Sequence, residues 1–267
     1  MKKTFLLSCL MLAAMPVMAA YTGHVYVDKN KNGVFDQSEK PLAGIKVSDG
    51  LNVVETAADG SFTLPGHERE RFIFITTPSG YKTFNRHYHK IEKKQSGYDF
   101  DLIPYSGRIR KDGSHRYIHI TDTEIFNTEN HADWVNNVHD YARNEQAAFI
   151  IHTGDICYEK GLKAHIKLMN TENMDCPVFY CIGNHDLVKG KYGEELFESI
   201  YGPVYYSFDA GNVHYVVTPM PGGDHAPGYT SDDVCRWLKN DLTHIRPGTP
   251  VVVFNHDLLT YEDTFIF

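Results

Sequence analysis

Four short polar motifs in the second half of this chain combine the side chains that bind divalent cations. They are Asp122-Thr123-Glu124, Gly154-Asp155, Gly183-Asn184-His185-Asp186 and Asn255-His256-Asp257. Carboxylate and amide oxygens mixed with imidazole nitrogen suit Mn²⁺, Fe or Zn²⁺ better than Ca²⁺, which takes oxygen ligands. A single strand-end carboxylate often does no more than cap the next helix. Four such motifs in order predict a metal centre.

An apolar, β-rich run precedes each motif, and helix-like segments lie between the first three runs. The runs span 117–121, 148–152, 178–182 and 251–254, and helices are predicted near 131–144, 160–173, 191–200 and 231–244, with Asn130 and Ser231 as N-caps. A hairpin is predicted over 204–218. Because strands that alternate with helices form a parallel sheet whose ligands gather at the carboxyl ends of the strands, we expect the four motifs to meet at one edge of one sheet.

This ordered set resembles the calcineurin-like metallophosphoesterase family, whose motifs run D-x-H, G-D, G-N-H-D/E, H and G-H-x-H. The resemblance covers residue 117 to the end, and 201–208 with 213–215 is similar to secreted purple-acid-phosphatase-like members. It implies an α/β metallophosphoesterase-type sandwich that binds two divalent transition metals (Mn, Fe or Zn). The implied metal ligands are Asp122, Glu124, Asp155, Asn184 and His256, with Asp155 bridging the two ions.

The resemblance also implies a reaction, the hydrolysis of a small phosphate monoester or diester. Two cations would hold the phosphoryl oxygens and activate a hydroxide that attacks phosphorus. His185 would act as general acid on the leaving alkoxide, with Asp186 fixing the tautomer of its imidazole.

Two departures from the family pattern bear on this reading. Glu124 stands where the family has a histidine, which adds negative charge and favours harder metals such as Mn²⁺ or Mg²⁺. The chain stops 11 residues after His256 without G-H-x-H, and its last residues, 264–267, are apolar. We therefore expect a domain that is incomplete at its C-terminus, either as a fragment or as a shortened gene product.

Three further histidines lie in or near the predicted strands. His119 and His152 each come three residues before a motif aspartate, an offset that points them to the opposite face of the strand. We interpret both as hydrogen-bonded core histidines rather than ligands, and His214 as a strand residue rather than a phosphate contact.

Residues 21–104 predict a separate small all-β, Ig-like sandwich, because short alternating runs are divided by turn signals such as Asp49-Gly50 and Asp59-Gly60. Residues 105–114 read as a linker, and 115–267 as the α/β domain. One loop in the sandwich has the spacing of a twelve-residue calcium loop. Its ligands would be Asp28, Asn30, Asn32, the carbonyl of Val34, Asp36 and Glu39. The pattern resembles SdrD B-like repeats and the domain that precedes secreted phosphoesterases; an Asx-rich turn without an ion is the alternative.

Residues 1–19 predict a signal peptide, with Lys2 and Lys3 before a short apolar core and small residues before the cut after Ala19. We therefore expect a periplasmic or secreted protein, and no segment predicts a transmembrane helix. Cys157 and Cys181 could form a disulfide or stay buried thiols. Residues 21–104 carry no net charge and residues 105–267 carry −10, a balance that disfavours nucleic-acid binding.

The sequence is also compatible with a function of a different class. The early stop and Glu124 would suit a non-catalytic exported calcium-binding or surface module whose α/β half is degenerate. That alternative predicts bound Ca²⁺ but less than one transition metal per chain.

Overall fold

The computed structural model describes residues 20–83, 86–106, 108–188 and 190–257. The predicted signal peptide and the apolar segment 264–267 lie outside these ranges. Within them, no helix has the length and apolar character required to cross a membrane.

The N-terminal part, here called the N-terminal sandwich, consists of two sheets that enclose one apolar core. Its strands are β1 (Tyr21–Val27), β2 (Lys40–Pro41), β3 (Lys46–Ser48), β4 (Val53–Glu55), β5 (Ser61–Leu64), β6 (Phe72–Ile75), β7 (Tyr81–Thr83), β8 (Tyr88–Lys90) and β9 (Phe100–Pro104). One sheet has the order β2-β1-β9-β7 with β5 also paired to β1, and the other has the order β4-β3-β6-β8. Val25, Leu64, Ile73 and Phe100 are fully buried between them, as the alternating pattern predicts.

The α/β part contains two further sheets and four helices. In chain order they are β10 (Tyr117–Ile120), α1 (Ala132–Asn144), β11 (Phe149–His152), α2 (Tyr158–Leu168), β12 (Val178–Tyr180), α3 (Glu195–Tyr201), β13 (Tyr206–Ala210), β14 (Val213–Val217), α4 (Ser231–Leu242) and β15 (Val251–Phe254). A 3₁₀ turn spans Asn184–Asp186. The strands β10, β11 and β12 are parallel, whereas β13 and β14 form the predicted hairpin. The predicted fold class, an α/β sandwich after a smaller β-rich part, is confirmed.

The expectation that all four motifs share one sheet is wrong. The strand before the fourth motif, β15, pairs with β14 in the second sheet, from His214 opposite Val251 to Val217 opposite Phe254. The two sheets pack face to face through aromatic rings, with Phe179 stacked on Phe208 at a centroid distance of 3.7 Å. The motifs therefore converge where the ends of two sheets meet, because a strand that follows the β13–β14 hairpin adds to that hairpin.

Both predicted helix N-caps are displaced by one residue. The residue before α1 is His131 rather than Asn130, whose N–H bonds the side chain of Asn127 instead. The N-cap of α4 is Thr230 rather than Ser231, because Thr230 and Asp233 satisfy each other's backbone N–H groups in a reciprocal capping box.

The three histidines of the strands differ in their surroundings. His152 is fully buried and bonds the Thr123 hydroxyl at 2.9 Å, as predicted for a core histidine. His214 is a buried strand residue. His119 bonds the Thr153 hydroxyl at 2.9 Å but is exposed, so its placement in the core is wrong. The reason is that, among the described residues, β10 is the end strand of its sheet and pairs only with β11.

The four cysteines of the described chain, Cys157, Cys176, Cys181 and Cys235, are free thiols, and the first three are buried. The disulfide considered for Cys157 and Cys181 is absent from the structure, and the alternative of buried thiols holds. Burial raises the pKa of the Cys157 thiol to about 12, so this side chain is neutral at physiological pH.

Candidate metal centre

Three of the predicted ligands come together at the shared end of the two sheets. The ligand atoms of Asp122, Asp155 and His256 all lie within 4.8 Å of one another. Nε2 of His256 is 3.5 Å from Oδ1 of Asp155. These residues follow β10, β11 and β15, so each is placed by a different strand. Motifs that are more than 130 residues apart in sequence thus form one compact group.

The orientation of His256 is suited to binding a cation in this group. Its Nδ1 lies 2.8 Å from the carbonyl oxygen of Thr153, which accepts hydrogen bonds and donates none, so Nδ1 carries the proton. In the neutral imidazole, Nε2 then directs a lone pair at the Asp155 carboxylate. A cation placed between these two groups would be bound by both. A backbone carbonyl behind a ligating imidazole is also the usual arrangement for fixing a metal-binding tautomer.

The glycines of the second and third motifs explain how these two motifs approach so closely. A Cβ on Gly183 would lie 2.2 Å from both the backbone nitrogen and Oδ1 of Asp155. Gly154 has φ +102°, and a Cβ there would lie 2.5 Å from the nitrogen of Gly183. With no side chains in the way, the N–H of His185 donates to Oδ1 of Asp155 at 3.1 Å. Asp155 therefore joins the second, third and fourth motifs.

The first motif is attached to the second through its backbone. The N–H of Asp122 donates to the carbonyl of Gly154 at 3.0 Å, and the N–H of Glu124 to the carbonyl of Asp155 at 3.4 Å. Asp122, Glu124 and Asp155 all have positive φ, at 52°, 44° and 52°. Left-handed backbone costs free energy for these residue types and is typical of functional sites.

Two predicted ligands are not part of the close group of three. The side chain of Glu124 is exposed and lies outside the group. Asn184 is half-buried in the 3₁₀ turn, next to the His185 N–H that donates to Asp155. The ligand roles of both residues stay predictions.

The prediction that Asp186 orients His185 is wrong. The Asp186 carboxylate is buried and accepts the N–H groups of Cys157 at 2.8 Å and Gly183 at 2.9 Å. Burial, the largest influence, raises its pKa. Consecutive residues of a 3₁₀ turn point about a third of a turn apart, so the two side chains do not face each other. Asp186 instead holds the second and third motifs together.

The carboxylate that contacts His185 is Asp224. Its Oδ2 is 2.9 Å from Nδ1 of His185, and this hydrogen bond is the main reason that the pKa of His185 is raised. Asp224 was not among the predicted site residues, because it lies 39 residues further along the chain in a loop without a motif. The available signal was Gly222-Gly223 before it, since paired glycines permit close backbone approach.

A second cluster of possible ligands, Asp49, His67 and Glu70, is explained without a metal. The Asp49 carboxylate accepts the N–H groups of Leu51 and Asn52, at 3.0 and 2.7 Å. His67 Nε2 lies 3.0 Å from the Asp49 carbonyl, so that nitrogen carries a proton and has no lone pair to offer. The cluster is a hydrogen-bonded turn.

The predicted calcium loop is compact and places two acidic side chains in its interior. Asp28 and Glu39 are buried, and Asp28 accepts the N–H groups of Lys31 at 2.6 Å and Gly33 at 2.9 Å. Glu39 accepts the N–H of Lys29 at 3.0 Å. The remaining predicted ligands, Asn30, Asn32, Val34 and Asp36, lie on the exposed side or at its margin.

Comparison with known proteins agrees with this geometry. The family model described as calcineurin-like phosphoesterase matches residues 115–264, more than half of the chain. The chain belongs to the calcineurin-like phosphoesterase family. A second family model, the N-terminal domain of calcineurin-like phosphoesterase, matches residues 29–104. No curated protein matches the chain.

Calcineurin-like phosphoesterases hydrolyse phosphoester bonds at a dinuclear metal site, and the described residues include a group that fits one. Asp122, Asp155 and His256 supply hard oxygens and one imidazole nitrogen, the donor set expected for Mn²⁺, Fe or Zn²⁺. Residues 105–267 carry a net charge of −10, and two bound divalent cations would offset part of it.

Proposed function

We propose that this calcineurin-like phosphoesterase is an exported, metal-dependent enzyme that hydrolyses a small phosphate monoester or diester, with His185 as its general acid. One observation carries the proposal: Oδ1 of Asp155 meets both Nε2 of His256 and the N–H of His185. The predicted ligand and the predicted acid therefore lie around the same carboxylate.

Different residues of the chain would bind the cations and donate the proton. Asp122, Asp155 and His256 would hold the cations, together with Asn184 and Glu124 as predicted. When bound, such cations polarise phosphoryl oxygens and lower the pKa of water. The bond between phosphorus and the leaving oxygen would break as water oxygen is added, and His185, protonated on both ring nitrogens, would give its Nε2 proton to the leaving oxygen. The ring of His185 packs beside Tyr158 at 5.4 Å and is about one-third exposed, so substrate can reach it.

Hydrolysis assays test the proposal. We expect Mn²⁺-dependent release of 4-nitrophenolate from 4-nitrophenyl phosphate or its bis ester, and a loss of more than roughly 100-fold in Asp155→Ala. Asp175→Asn is a matched control: it alters an exposed carboxylate that bonds a surface histidine, His139, at 3.0 Å. Equal rates for Asp155→Ala and the unaltered chain would overturn the proposal.

Metal content separates this function from the non-catalytic alternative. The enzyme should hold up to two transition metals per chain by mass spectrometry, and Asp155→Ala should lose them. A chain that holds Ca²⁺ and less than one transition metal would support the alternative of a surface module.

Export is proposed from the first twenty residues of the sequence. N-terminal sequencing of the protein recovered outside the cytoplasm should begin at Ala20. Recovery of uncut protein from the cytoplasm would contradict export.

We further propose that the loop formed by residues 28–39 binds Ca²⁺. Its support is the spacing of the six ligands and the burial of two carboxylates, Asp28 and Glu39, within one loop. A bound divalent cation would offset the cost of burying these charges.

A further inference from the structure

We propose that Asp224 is the positioning residue of His185, and that this pair adapts the enzyme to esters of alcohols, whose alkoxides leave only with a proton. The inference rests on the proposed function, since it assigns a partner to the general acid of that reaction. It goes beyond the family motifs, because Asp224 belongs to none of the four.

The contact itself has the geometry of an orienting hydrogen bond. Oδ2 of Asp224 lies 2.9 Å from Nδ1 of His185, and a carboxylate accepts but does not donate. Nδ1 must therefore carry a proton, and Nε2 becomes the atom that faces away from Asp224. The two side chains are comparably exposed, at 37% and 38%, so the pair lies at the surface where substrate arrives.

The loop that carries Asp224 is anchored to the same turn as His185. The N–H of Asp224 donates to the carbonyl of Asn184 at 3.1 Å, directly before His185. A Cβ on Gly223 would lie 2.5 Å from that carbonyl oxygen, so the approach requires glycine. These contacts join the backbone of Asp224 to the turn that carries His185, so the two side chains are held within hydrogen-bond distance of each other.

The far side of the loop is held as well. The N–H of Gly193 donates to the carbonyl of Ala226 at 2.8 Å, and the N–H of Gly228 donates to the buried carboxylate of Glu194 at 2.9 Å. A loop restrained on both sides of Asp224 can set the direction of the His185 ring rather than follow it.

A positioned imidazole matters most when the leaving group is a poor one. The 4-nitrophenolate anion departs without protonation, whereas an alkoxide such as that of glycerol is too basic to depend on water alone. The benefit of Asp224 should therefore grow with the basicity of the leaving oxygen. A residue that merely supported the fold would affect both classes of ester equally.

A comparison of two substrates tests the role. We expect Asp224→Ala to lower kcat for glycerol 2-phosphate by roughly 10- to 100-fold and to change kcat for 4-nitrophenyl phosphate by less than about 3-fold. Asp175→Asn, which alters another histidine–aspartate pair, should change neither. Equal losses on both substrates, with Mn²⁺ content unchanged, would overturn the positioning role.

Nuclear magnetic resonance tests the hydrogen bond between Asp224 and His185 without any measurement of activity. The positioning role can therefore be decided even if the proposed function is wrong. The protein is labelled with ¹⁵N-histidine and its spectrum is recorded above neutral pH. The signals that are missing from the spectrum of His185→Gln belong to His185. We expect a proton on Nδ1 in the unaltered chain and a shift of the proton to Nε2 in Asp224→Ala. The same tautomer in both proteins would overturn the inference even if hydrolysis is observed, and the expected shift would support it even if none is.

Discussion

Asp155 is the residue on which the centre depends, because its carboxylate and backbone contact the other three motifs. Its neighbours had to be small for this to happen: Gly154 and Gly183 lie against each other where any side chain would collide. A carboxylate held this closely offers cations a fixed position, which reduces the free energy lost on ordering the site.

Replacing one of these glycines should damage the centre without touching a ligand. In Gly183→Ala, the added Cβ would stand 2.2 Å from Oδ1 of Asp155 and push the carboxylate aside. We expect bound Mn²⁺ and hydrolysis to fall by more than roughly 10-fold. Gly97→Ala is the control, because a Cβ there meets no atom within 4 Å. Normal metal content in Gly183→Ala would show that the packing is not required.

At the residue scale, the sequence predicted which side chains would come together better than it predicted the residues that hold them in place. Asp122, Asp155 and His256 were identifiable because each lies within three residues of the end of an apolar run. Asp224 was not, since its contact with His185 depends on how a loop folds back over the 3₁₀ turn, and no periodicity encodes that. Asp186 was misassigned because adjacency in sequence was taken for adjacency of side chains.

Local hydrogen bonds fix the start of helix α4 and the loop that precedes it. Helix α4 begins where Thr230 and Asp233 bond each other's backbone, with the Thr230 hydroxyl accepting the Asp233 N–H at 3.2 Å. Tyr229, next to this cap, donates its hydroxyl to the carbonyl of Met220. The cap therefore also closes the loop that holds Asp224.

Removing the cap should cost a predictable amount of stability. We expect Thr230→Ala to lower the free energy of unfolding by about 1 kcal/mol, because the N–H of Asp233 loses its partner. Ser231→Ala should change it by less than about 0.5 kcal/mol, since Ser231 is already inside the helix. Urea unfolding of both variants decides between them; a larger effect at Ser231 would contradict the observed cap.

Calcium binding by the loop of residues 28–39 would be visible in the stability of the protein. Millimolar Ca²⁺ should raise the thermal midpoint of unfolding by roughly 2–5 °C, because an ion that binds only the folded loop stabilises it. Glu39→Gln should remove the increase, whereas Asp59→Asn, in an exposed turn outside the loop, should keep it. An unchanged midpoint in the unaltered chain would argue for the ion-free turn.

Strands and helices were predictable from pattern, but the partners of strands were not. The run 251–254 is a strand, as expected, yet its alternation does not say whether it joins β12 or β14. The pairing of β15 depends on the β13–β14 hairpin, which offers it an edge, and on the aromatic side chains that pack between the two sheets. Both are contacts between segments that are distant in sequence. The exposure of His119 arises in the same way, from its strand's place in the sheet.

On the scale of the whole molecule, one arginine connects the N-terminal sandwich to the α/β part. Arg71 lies 2.8 Å from the carboxylates of both Glu194 and Glu198, and its guanidinium stacks on Tyr192. Both carboxylates are buried. One guanidinium therefore lies between two buried carboxyl groups. Burial, opposed by Arg71 and assisted by Glu194, raises the pKa of Glu198 to about 7.

This arrangement predicts how stability depends on pH. Glu198 keeps its proton in the folded chain up to about pH 7, whereas an unfolded carboxyl loses it near pH 4.5. Its contribution is thus complete below about pH 4.5 and is lost as pH rises to about 7. We expect Glu198→Gln to flatten this fall by on the order of 1–3 kcal/mol in urea unfolding between pH 5 and 7.5. Glu195→Gln, on the same helix, should not, and an unaltered slope in Glu198→Gln would contradict the assignment.

A buried polar chain crosses the same junction elsewhere. The hydroxyl of Thr76 lies 2.8 Å from that of Ser207, which donates to Asp241 at 3.0 Å. Asp241 and Asp209 bond the two nitrogens of His214. Burial lowers the pKa of His214, but these two carboxylates outweigh it and raise the pKa overall. Each of these five buried or half-buried side chains therefore has a hydrogen-bond partner within the group, as buried polar groups require.

Strand β6 lies between the N-terminal sandwich and the α/β part, and all four of its residues are buried. Ile73 and Ile75 belong to the core of the N-terminal sandwich, whereas Phe72 and Phe74 belong to the core of the α/β part. A shift of one position along this strand would exchange the two sets and spoil both interiors at once. Replacing the N-terminal sandwich with an unrelated domain would remove Phe72 and Phe74 from the core of the α/β part and leave the apolar side chains around them uncovered.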